Sequence, residues 1–149
     1  MESEIRQLNM KKELVNRTEV LVRFNEADPL GIVWHGHYVT YMEVGREAFG
    51  NEHGLSYLQI FKQGFVAPVI SVHCDFKRQI RYGDRVIVET TYIPTDAAKM
   101  KFTYRLLNAA TGELAATGIT IQVFLDKEEN LLQLNNPVFF ADWKKSHGL

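Results

Sequence analysis

Residues 24–50 read FNEADPLGIVWHGHYVTYMEVGREAFG and hold the side chains best suited to chemistry. Asp28 opens a Pro-Leu-Gly turn, and His35 and His37 come just before a segment with helical spacing. A carboxylate can serve as a general base or a nucleophile, while the unpaired N–H groups at a helix start can stabilise an oxyanion. The pattern is therefore compatible with acyl transfer, with Asp28 as the candidate reactive group.

The backbone around Gly36 is the second part of this predicted site. We expect the N–H groups near His35, Gly36 and His37 to be the oxyanion donors, with His37 and Tyr38 helping to position the substrate. Gly36 lacks a Cβ and so lets a ligand approach closely. Residue types alone leave another interpretation open, because Asp-Pro followed by Gly is a common turn and a single histidine is often structural.

The elements that must hold these residues are a strand before the loop and a helix after it. Alternating apolar residues predict a strand over 18–24, and helical spacing predicts a helix that begins at His37 and stops at Gly50. Gly45 lies in the apolar stripe of that helix, where it costs about 1 kcal/mol relative to alanine. We therefore expect a sheet to approach the helix closely at Gly45. A second, short helix is predicted over 57–63.

A series of strands follows the two helices. Alternation and turn residues predict strands over 66–76, 85–92, 100–106 and 114–125, and a short closing helix after Pro137. The short connections require antiparallel pairing, because parallel strands need long crossovers. The sequence thus predicts an α+β domain whose sheet curls around the main helix. We expect one domain over 1–149, with residues 1–15 as a peripheral extension.

The loop and helix motif resembles the 4-hydroxybenzoyl-CoA thioesterase family of hotdog-fold proteins, in particular its acyl-CoA thioester hydrolase branch. The resemblance covers roughly residues 18–125. It implies an antiparallel β-sheet wrapped around a long central α-helix, dimers formed by joining two sheets, and hydrolysis of acyl-CoA. The matching residues are the run from Asp28 to His35, the helix positions Tyr38, Tyr41, Glu43 and Arg46, and further on Phe76-Lys-Arg and Tyr82-Gly-Asp.

The resemblance also implies residue roles. It places the catalytic carboxylate at Asp28 and puts His35 beside the reacting carbonyl as a supporting group, and it leaves both general-base and mixed-anhydride routes open. Some hotdog enzymes use a helix carboxylate instead, so Glu43 is a reserve candidate, although its spacing to Arg46 favours a structural ion pair. Many members of the branch have tyrosine where this chain has Phe24, so one hydroxyl is missing here.

Basic residues are expected to hold the nucleotide end of coenzyme A, which carries phosphates. We expect one or two of Arg78, Arg81 and Lys99 to contact the nucleotide, from the same or the neighbouring subunit, with protection of exposed strand edges as the alternative interpretation. We expect no cofactor other than the coenzyme A of the substrate. We also expect no metal, because the His35-x-His37 pair lacks a third ligand of suitable spacing.

Composition narrows the partners. The net charge of −1 argues against nucleic acid, and no apolar run reaches the length of a membrane span. The single cysteine, Cys74, fits a reducing cytoplasm. Acyl-CoA is the expected small-molecule partner, within a homodimer or a dimer-of-dimers tetramer. An acyl carrier protein thioesterase and a non-catalytic acyl-CoA-binding module are the alternative functions, and the sequence does not define the acyl chain.

Overall fold

The computed structural model describes residues 13–149, and a five-stranded antiparallel sheet forms its centre. In chain order the elements are β1 (Val15–Leu21), α1 (His37–His53), α2 (Tyr57–Lys62), β2 (Phe65–Val66), β3 (Val69–Phe76), β4 (Arg85–Ile93), β5 (Lys99–Asn108), β6 (Leu114–Val123), β7 (Leu125–Asp126) and α3 (Val138–Ser146). The main sheet has the order β1-β4-β5-β6-β3, and β2 pairs with β7 in a separate ribbon. The predicted antiparallel meander is confirmed.

The long helix α1 packs on one face of this sheet. A Cβ at Gly45 would lie 2.5 Å from the Thr90 side chain and 2.5 Å from that of Val88, so only glycine lets the helix come this close. The expected close approach of helix and sheet is therefore confirmed. Phe49 continues the same helix face and is fully buried against Phe102, with ring centroids 5.1 Å apart. This α+β arrangement is the hotdog fold that the resemblance implies.

The predicted first strand is displaced by three residues. Its alternation was assigned to 18–24, but the pairing of β1 with β4 ends at Leu21 opposite Arg85. Val22 is buried and its N–H donates to Asp84 O at 3.1 Å, after which the chain turns away. Phe24 begins a short 3-10 turn and is 80% exposed, so it is not a strand residue facing the core.

The end of α1 was also predicted wrongly. Gly50 does not stop the helix but lies buried within it. A Cβ at Gly50 would lie 2.7 Å from the Leu55 carbonyl oxygen, so the close packing there requires glycine. The helix continues to His53, and Gly54 ends it with a φ of +76°. The short helix α2 is close to its predicted extent, with the Ser56 hydroxyl accepting from the Gln59 N–H at 3.2 Å as its cap.

The predicted N-terminal extension over 1–15 lies mostly outside the described residues. Its last two positions belong to the fold, so its boundary is wrong at that end. Leu14 packs against the core, and its carbonyl accepts from the Tyr92 N–H at 3.0 Å. Val15 then begins β1 opposite Thr91. The closing helix α3 begins after Pro137, as the sequence predicts.

Candidate active site

Asp28 lies at the tip of a short hairpin between β1 and α1. Its backbone N–H donates to Ile32 O at 2.8 Å, and two residues back Glu26 O accepts from the Trp34 N–H at 3.1 Å. The carboxylate oxygen Oδ1 accepts from the N–H groups of Leu30 (2.9 Å) and Ile32 (3.2 Å). No residue within 13–149 donates to the other oxygen, Oδ2. The turn thus fixes one oxygen and leaves the second available.

The start of α1 contains two backbone N–H groups that donate to no acceptor in the described chain. The N–H of His37 donates to Trp34 O (3.0 Å), and that of Tyr38 donates to His35 O (3.2 Å). The N–H groups of His35 and Gly36 have no such partner between residues 13 and 149. Of the three predicted oxyanion donors, His35 and Gly36 are therefore free and His37 is occupied by the turn.

The indole of Trp34 lies over this helix start. A Cβ at Gly36 would collide with the Trp34 ring, so glycine is required for the ring to lie there. Trp34 is 54% exposed and contacts both histidine rings, at 4.9 Å from His35 and 5.5 Å from His37 between centroids. His35 is exposed and also contacts Phe76, with ring centroids 6.2 Å apart. The Trp34 indole thus occupies the space that the missing Cβ of Gly36 leaves.

Tyr38 is buried, and its hydroxyl accepts a hydrogen bond from the Ile80 N–H at 3.2 Å. Burial raises the pKa of Tyr38, with the Ile80 hydrogen bond acting in the opposite direction. Its ring packs edge-on against Phe76 at 4.9 Å. The contacts of Tyr38 hold the loop after β3 against α1, which is a structural role beside the predicted positioning role.

Glu26 is a site neighbour that sequence reasoning missed. It is buried, and its carboxylate accepts from the Tyr41 hydroxyl (3.2 Å) and from the Arg23 N–H (2.7 Å). Burial and the nearby Glu26 carboxylate raise the pKa of Tyr41, so this tyrosine stays protonated and donates. The bond ties the hairpin that carries Asp28 to the second turn of α1. A carboxylate two residues before Asp28 was the available signal.

A cavity of about 550 Å³ runs along a different face of α1. It begins at Thr40, about 6 Å of helix beyond Gly36, and its wall combines apolar residues with the charged Glu43, Arg46 and Glu47. Glu43 lies in this wall and forms the predicted ion pair with Arg46, which is confirmed. Asp28 does not line the cavity. Its principal apolar lining residues are Val44, Leu55, Ile60, Met100 and Phe102.

Gln122 lines this cavity from β6 and was not identified from the sequence. It is 5% exposed, and its Nε2 donates to Ala67 O at 2.6 Å. Its amide oxygen Oε1 is buried and accepts no hydrogen bond from any residue of the described chain. In the strand pattern Gln122 is one polar residue among buried positions, which gives no signal of a pocket.

The predicted coenzyme A residues do not form one cluster within a chain. Arg78 pairs with Glu113 at 3.5 Å, and the Arg81 guanidinium donates to Gln79 at 3.3 Å. Both follow β3, whose end pairs with β6 at Ala116. Lys99 pairs with β6 at Val123, seven residues away, or about 23 Å along the strand. Within one protomer, Arg78 and Arg81 therefore lie apart from Lys99, and contact of one or two of these residues with the nucleotide stays a prediction.

Within 13–149, no group of three or more His, Cys, Asp or Glu side chains is arranged to hold a metal ion. No helix in the same range is both long enough and apolar enough to cross a membrane.

Comparison with known proteins identifies the family. The model of the thioesterase-like superfamily matches residues 22–144. YneP of Bacillus subtilis, assigned by name to the acyl-CoA thioesterases, is 31% identical over 133 residues, which span 89% of this chain and 95% of YneP. The DHNA-CoA thioesterase of Staphylococcus aureus superposes with a TM-score of 0.80 at 29% identity, covering 90% of this chain and 89% of the other. A 4-hydroxybenzoyl-CoA thioesterase mutant complexed with 4-hydroxybenzoyl-CoA shares the fold, with a TM-score of 0.75 at 19% identity over 87% of this chain and 98% of the other. The chain belongs to the thioesterase-like superfamily and is a hotdog-fold thioesterase, with acyl-CoA thioesterases among its relatives.

Proposed function

We propose that this protein hydrolyses acyl-CoA to a free acid and coenzyme A, with Asp28 as the general base or the nucleophile. The observation that carries the proposal is the difference in hydrogen bonding between the two oxygens of the Asp28 carboxylate. Oδ1 is fixed by two backbone N–H groups, while Oδ2 accepts nothing from residues 13–149. A carboxylate held in this way is oriented and still has an oxygen for water or for the thioester carbon.

The start of α1 supplies the other requirement, a site for the developing negative charge. In the hairpin, Glu26 lies opposite Trp34, the residue before His35. Asp28 is two extended residues further along, so it lies about 7 Å from Trp34 in the direction of the strand. A thioester carbonyl between them can reach the N–H groups of His35 and Gly36. These groups lie at the positive end of a 17-residue helix, which favours an oxyanion. The leaving thiolate needs no further activation.

We further propose that the protein works as a homodimer joined through β3. This strand lies at the sheet edge and pairs only with β6 in the described chain. Val72 shares a sheet face with Thr120, the face that α1 covers elsewhere, yet Val72 is 46% exposed. Ile70 on the same strand is 57% exposed. An apolar edge of this kind is stabilised when a second copy pairs with it.

Antiparallel pairing of two β3 strands would complete the site. The end of β3 lies beside the start of α1, because Phe76 contacts His35 and Tyr38. The beginning of β3 lies beside the cavity, because Val69 pairs with Gln122, which is part of the cavity wall. Antiparallel strands place each end beside the partner's beginning. The helix start of one protomer would thus meet the cavity of the other, which would receive the acyl group.

An acyl carrier protein thioester remains the second candidate substrate. It carries the same pantetheine arm and thioester, and exposed Arg78 and Arg81 near the end of β3 would face an acidic partner.

Reducing conditions are the proposed environment, since Cys74 is the only cysteine of the chain and is free.

Thiol release from acyl-CoA by the Asp28→Asn variant tests the proposal. Asparagine keeps an Oδ1 acceptor for the turn, so we expect an unchanged melting temperature and a loss of kcat of roughly 10²–10⁴-fold. Asp126→Asn is the matched control, because Asp126 Oδ1 also accepts two backbone N–H groups in a turn, from Glu128 and Glu129 at 2.9 Å each. Equal activity of the two variants would contradict the proposal. Turnover of a carrier-protein thioester alone would move the substrate to the second candidate.

A further inference from the structure

Glu26 contacts the chain on both sides of the free N–H groups at the start of α1. Its backbone carbonyl accepts from the Trp34 N–H at 3.1 Å, ahead of these groups, and its Oε1 accepts from the Tyr41 hydroxyl at 3.2 Å, behind them. Asp28 follows Glu26 by only two residues. A single residue therefore connects the candidate reactive carboxylate to the helix start, once through its backbone and once through its side chain.

The side chain of Glu26 is itself firmly held. Glu26 and Tyr41 are both buried, and the same Oε1 also accepts from the Arg23 N–H at 2.7 Å. A buried carboxylate loses its hydration, and an apolar pair of similar volume would stabilise the fold at least as well. A hydrogen bond restrains direction as well as distance, which an apolar contact does not. The pair is thus better suited to fixing the geometry of the hairpin against α1 than to adding stability.

We propose that the hydrogen-bonded pair of Glu26 and Tyr41 positions the Asp28 carboxylate relative to the free N–H groups of α1. This inference rests on the proposed function, because it concerns the same reactive groups. Glu26 and Tyr41 are positioning residues, which act on the reaction through the hairpin and need not touch the substrate. A displacement of the hairpin by about 1 Å is enough to lower turnover by up to about 100-fold. Substrate binding uses other contacts, so kcat should fall while KM changes little.

The Tyr41→Phe variant tests the pair with the smallest change, because phenylalanine fills the same space and removes only the hydroxyl. We expect it to lower kcat by about tenfold or more and to change KM by less than about threefold. Tyr104→Phe is the matched control, since Tyr104 is equally buried and its hydroxyl forms a hydrogen bond with the Thr120 hydroxyl at 2.6 Å. This control should lose a similar amount of melting temperature and keep its kcat. An unchanged kcat in Tyr41→Phe, or an equal fall in both variants, would overturn the inference.

Two variants of Glu26 show which property of its side chain matters. Glu26→Gln keeps an oxygen that can accept from both the Tyr41 hydroxyl and the Arg23 N–H, so it should retain kcat to within about threefold. Glu26→Leu removes the acceptor and should lower kcat about as much as Tyr41→Phe does. Combining Glu26→Leu with Tyr41→Phe should lower kcat no further, because the two residues act as a unit. A Glu26→Gln variant as slow as Glu26→Leu would overturn the inference and assign the effect to the negative charge.

Thiol release from acetyl-CoA, hexanoyl-CoA, benzoyl-CoA and dodecanoyl-CoA gives kcat and KM for each variant, expressed per folded molecule. A wild type that depends on Asp28, beside a Tyr41→Phe variant of full activity, would contradict the positioning inference alone. No release by the wild type from any of the four substrates, or full activity of Asp28→Asn, would contradict the proposed function and this inference with it.

Discussion

The start of α1 and the cavity along α1 differ in how they are built. The first region is one contiguous stretch, in which Asp28 and the free N–H groups of His35 and Gly36 lie within nine residues of chain. The second is assembled from α1, α2, the segment before β3, and strands β5 and β6. The first offers candidate reactive groups, and the second offers a cavity of about 550 Å³ with both apolar and charged residues in its wall. Because the two regions are built from different residues, the proposed chemical step and the proposed binding of the acyl group can be disrupted by separate variants.

The largest expected effect comes from mixing two impaired proteins. Val44→Trp narrows the cavity and Asp28→Asn removes the proposed reactive carboxylate, so each alone should have a kcat/KM at least about tenfold below that of the wild type. If each site joins one protomer's helix start to its partner's cavity, a dimer of one Val44→Trp chain and one Asp28→Asn chain has one intact site and one doubly impaired site. About half of the dimers that form at random are of this mixed kind. Co-expression should then restore about a quarter of wild-type activity. Each variant co-expressed with the double variant should give no recovery, and the same absence in the main mixture would contradict a shared site.

The cavity alone is tested by Val44→Trp in isolation. The indole would occupy space near the apolar wall, so KM should rise by about tenfold or more while kcat changes little. Val138→Trp is the control, because Val138 is also a helical valine, is 78% exposed and lies outside the cavity. A fall in kcat with unchanged KM would indicate that the cavity residues act in the chemical step rather than in substrate binding.

The helix start can be probed by its own tryptophan. Trp34 lies over Gly36 and is half exposed, whereas Trp143 is buried with its Nε1 donating to His53 O at 2.7 Å. Binding of coenzyme A or of a non-hydrolysable acyl-CoA should change the emission of the wild type and of Trp143→Phe. Trp34→Phe should lose that change and lower kcat/KM by about threefold to tenfold. An emission change that persists in Trp34→Phe would show that the ligand binds elsewhere.

The smallest effect is expected at a group outside both regions. Burial alone would raise the pKa of Glu89, but hydrogen bonds and charge from Arg17 and Arg105 outweigh it and hold the pKa below its usual range. A lowered folded-state pKa gives stability that is present above the unfolded pKa of about 4.3 and is lost as the pH falls below it. Glu89→Gln should therefore cost at most about 1 kcal/mol at pH 7, and the difference should shrink towards pH 3.

Denaturant unfolding between pH 3 and pH 7 measures this effect. Glu19→Gln is the control, because its partner Arg85 is 3.5 Å away and both side chains are well exposed. Activity per folded molecule should be the same in both variants. A pH-independent difference for Glu89→Gln would indicate a packing role without a contribution from charge.

The same contrast explains what the sequence could and could not predict. The helix start was recognisable because turn, histidines and helix onset follow one another in the chain, so local rules apply to them. The strand pattern also predicted the antiparallel sheet, and Gly45 predicted its contact with α1. The prediction over 18–24 failed because alternation does not reveal where cross-strand pairing ends, and that end depends on Arg85 and Asp84 in a distant strand.

The cavity was not predictable, because its residues come from five separate parts of the chain. Gln122 is held in the cavity wall by the Ala67 carbonyl, 55 residues away, which accepts from its amide nitrogen. Lys99 was grouped with Arg78 because both are basic and follow strand boundaries. The register places them at opposite ends of β6, a long-range property that spacing in the sequence does not encode.

The central claim is that Asp28 performs the chemistry while Glu43, in the cavity wall, does not. Steady-state kinetics of Asp28→Asn and Glu43→Gln on one acyl-CoA test this most directly. The account predicts that Asp28→Asn lowers kcat by roughly 10²-fold or more, and that Glu43→Gln changes kcat by less than about tenfold. Both variants should retain the melting temperature to within a few degrees. A Glu43→Gln variant without activity beside a working Asp28→Asn variant would contradict the account and move the reactive carboxylate into the cavity.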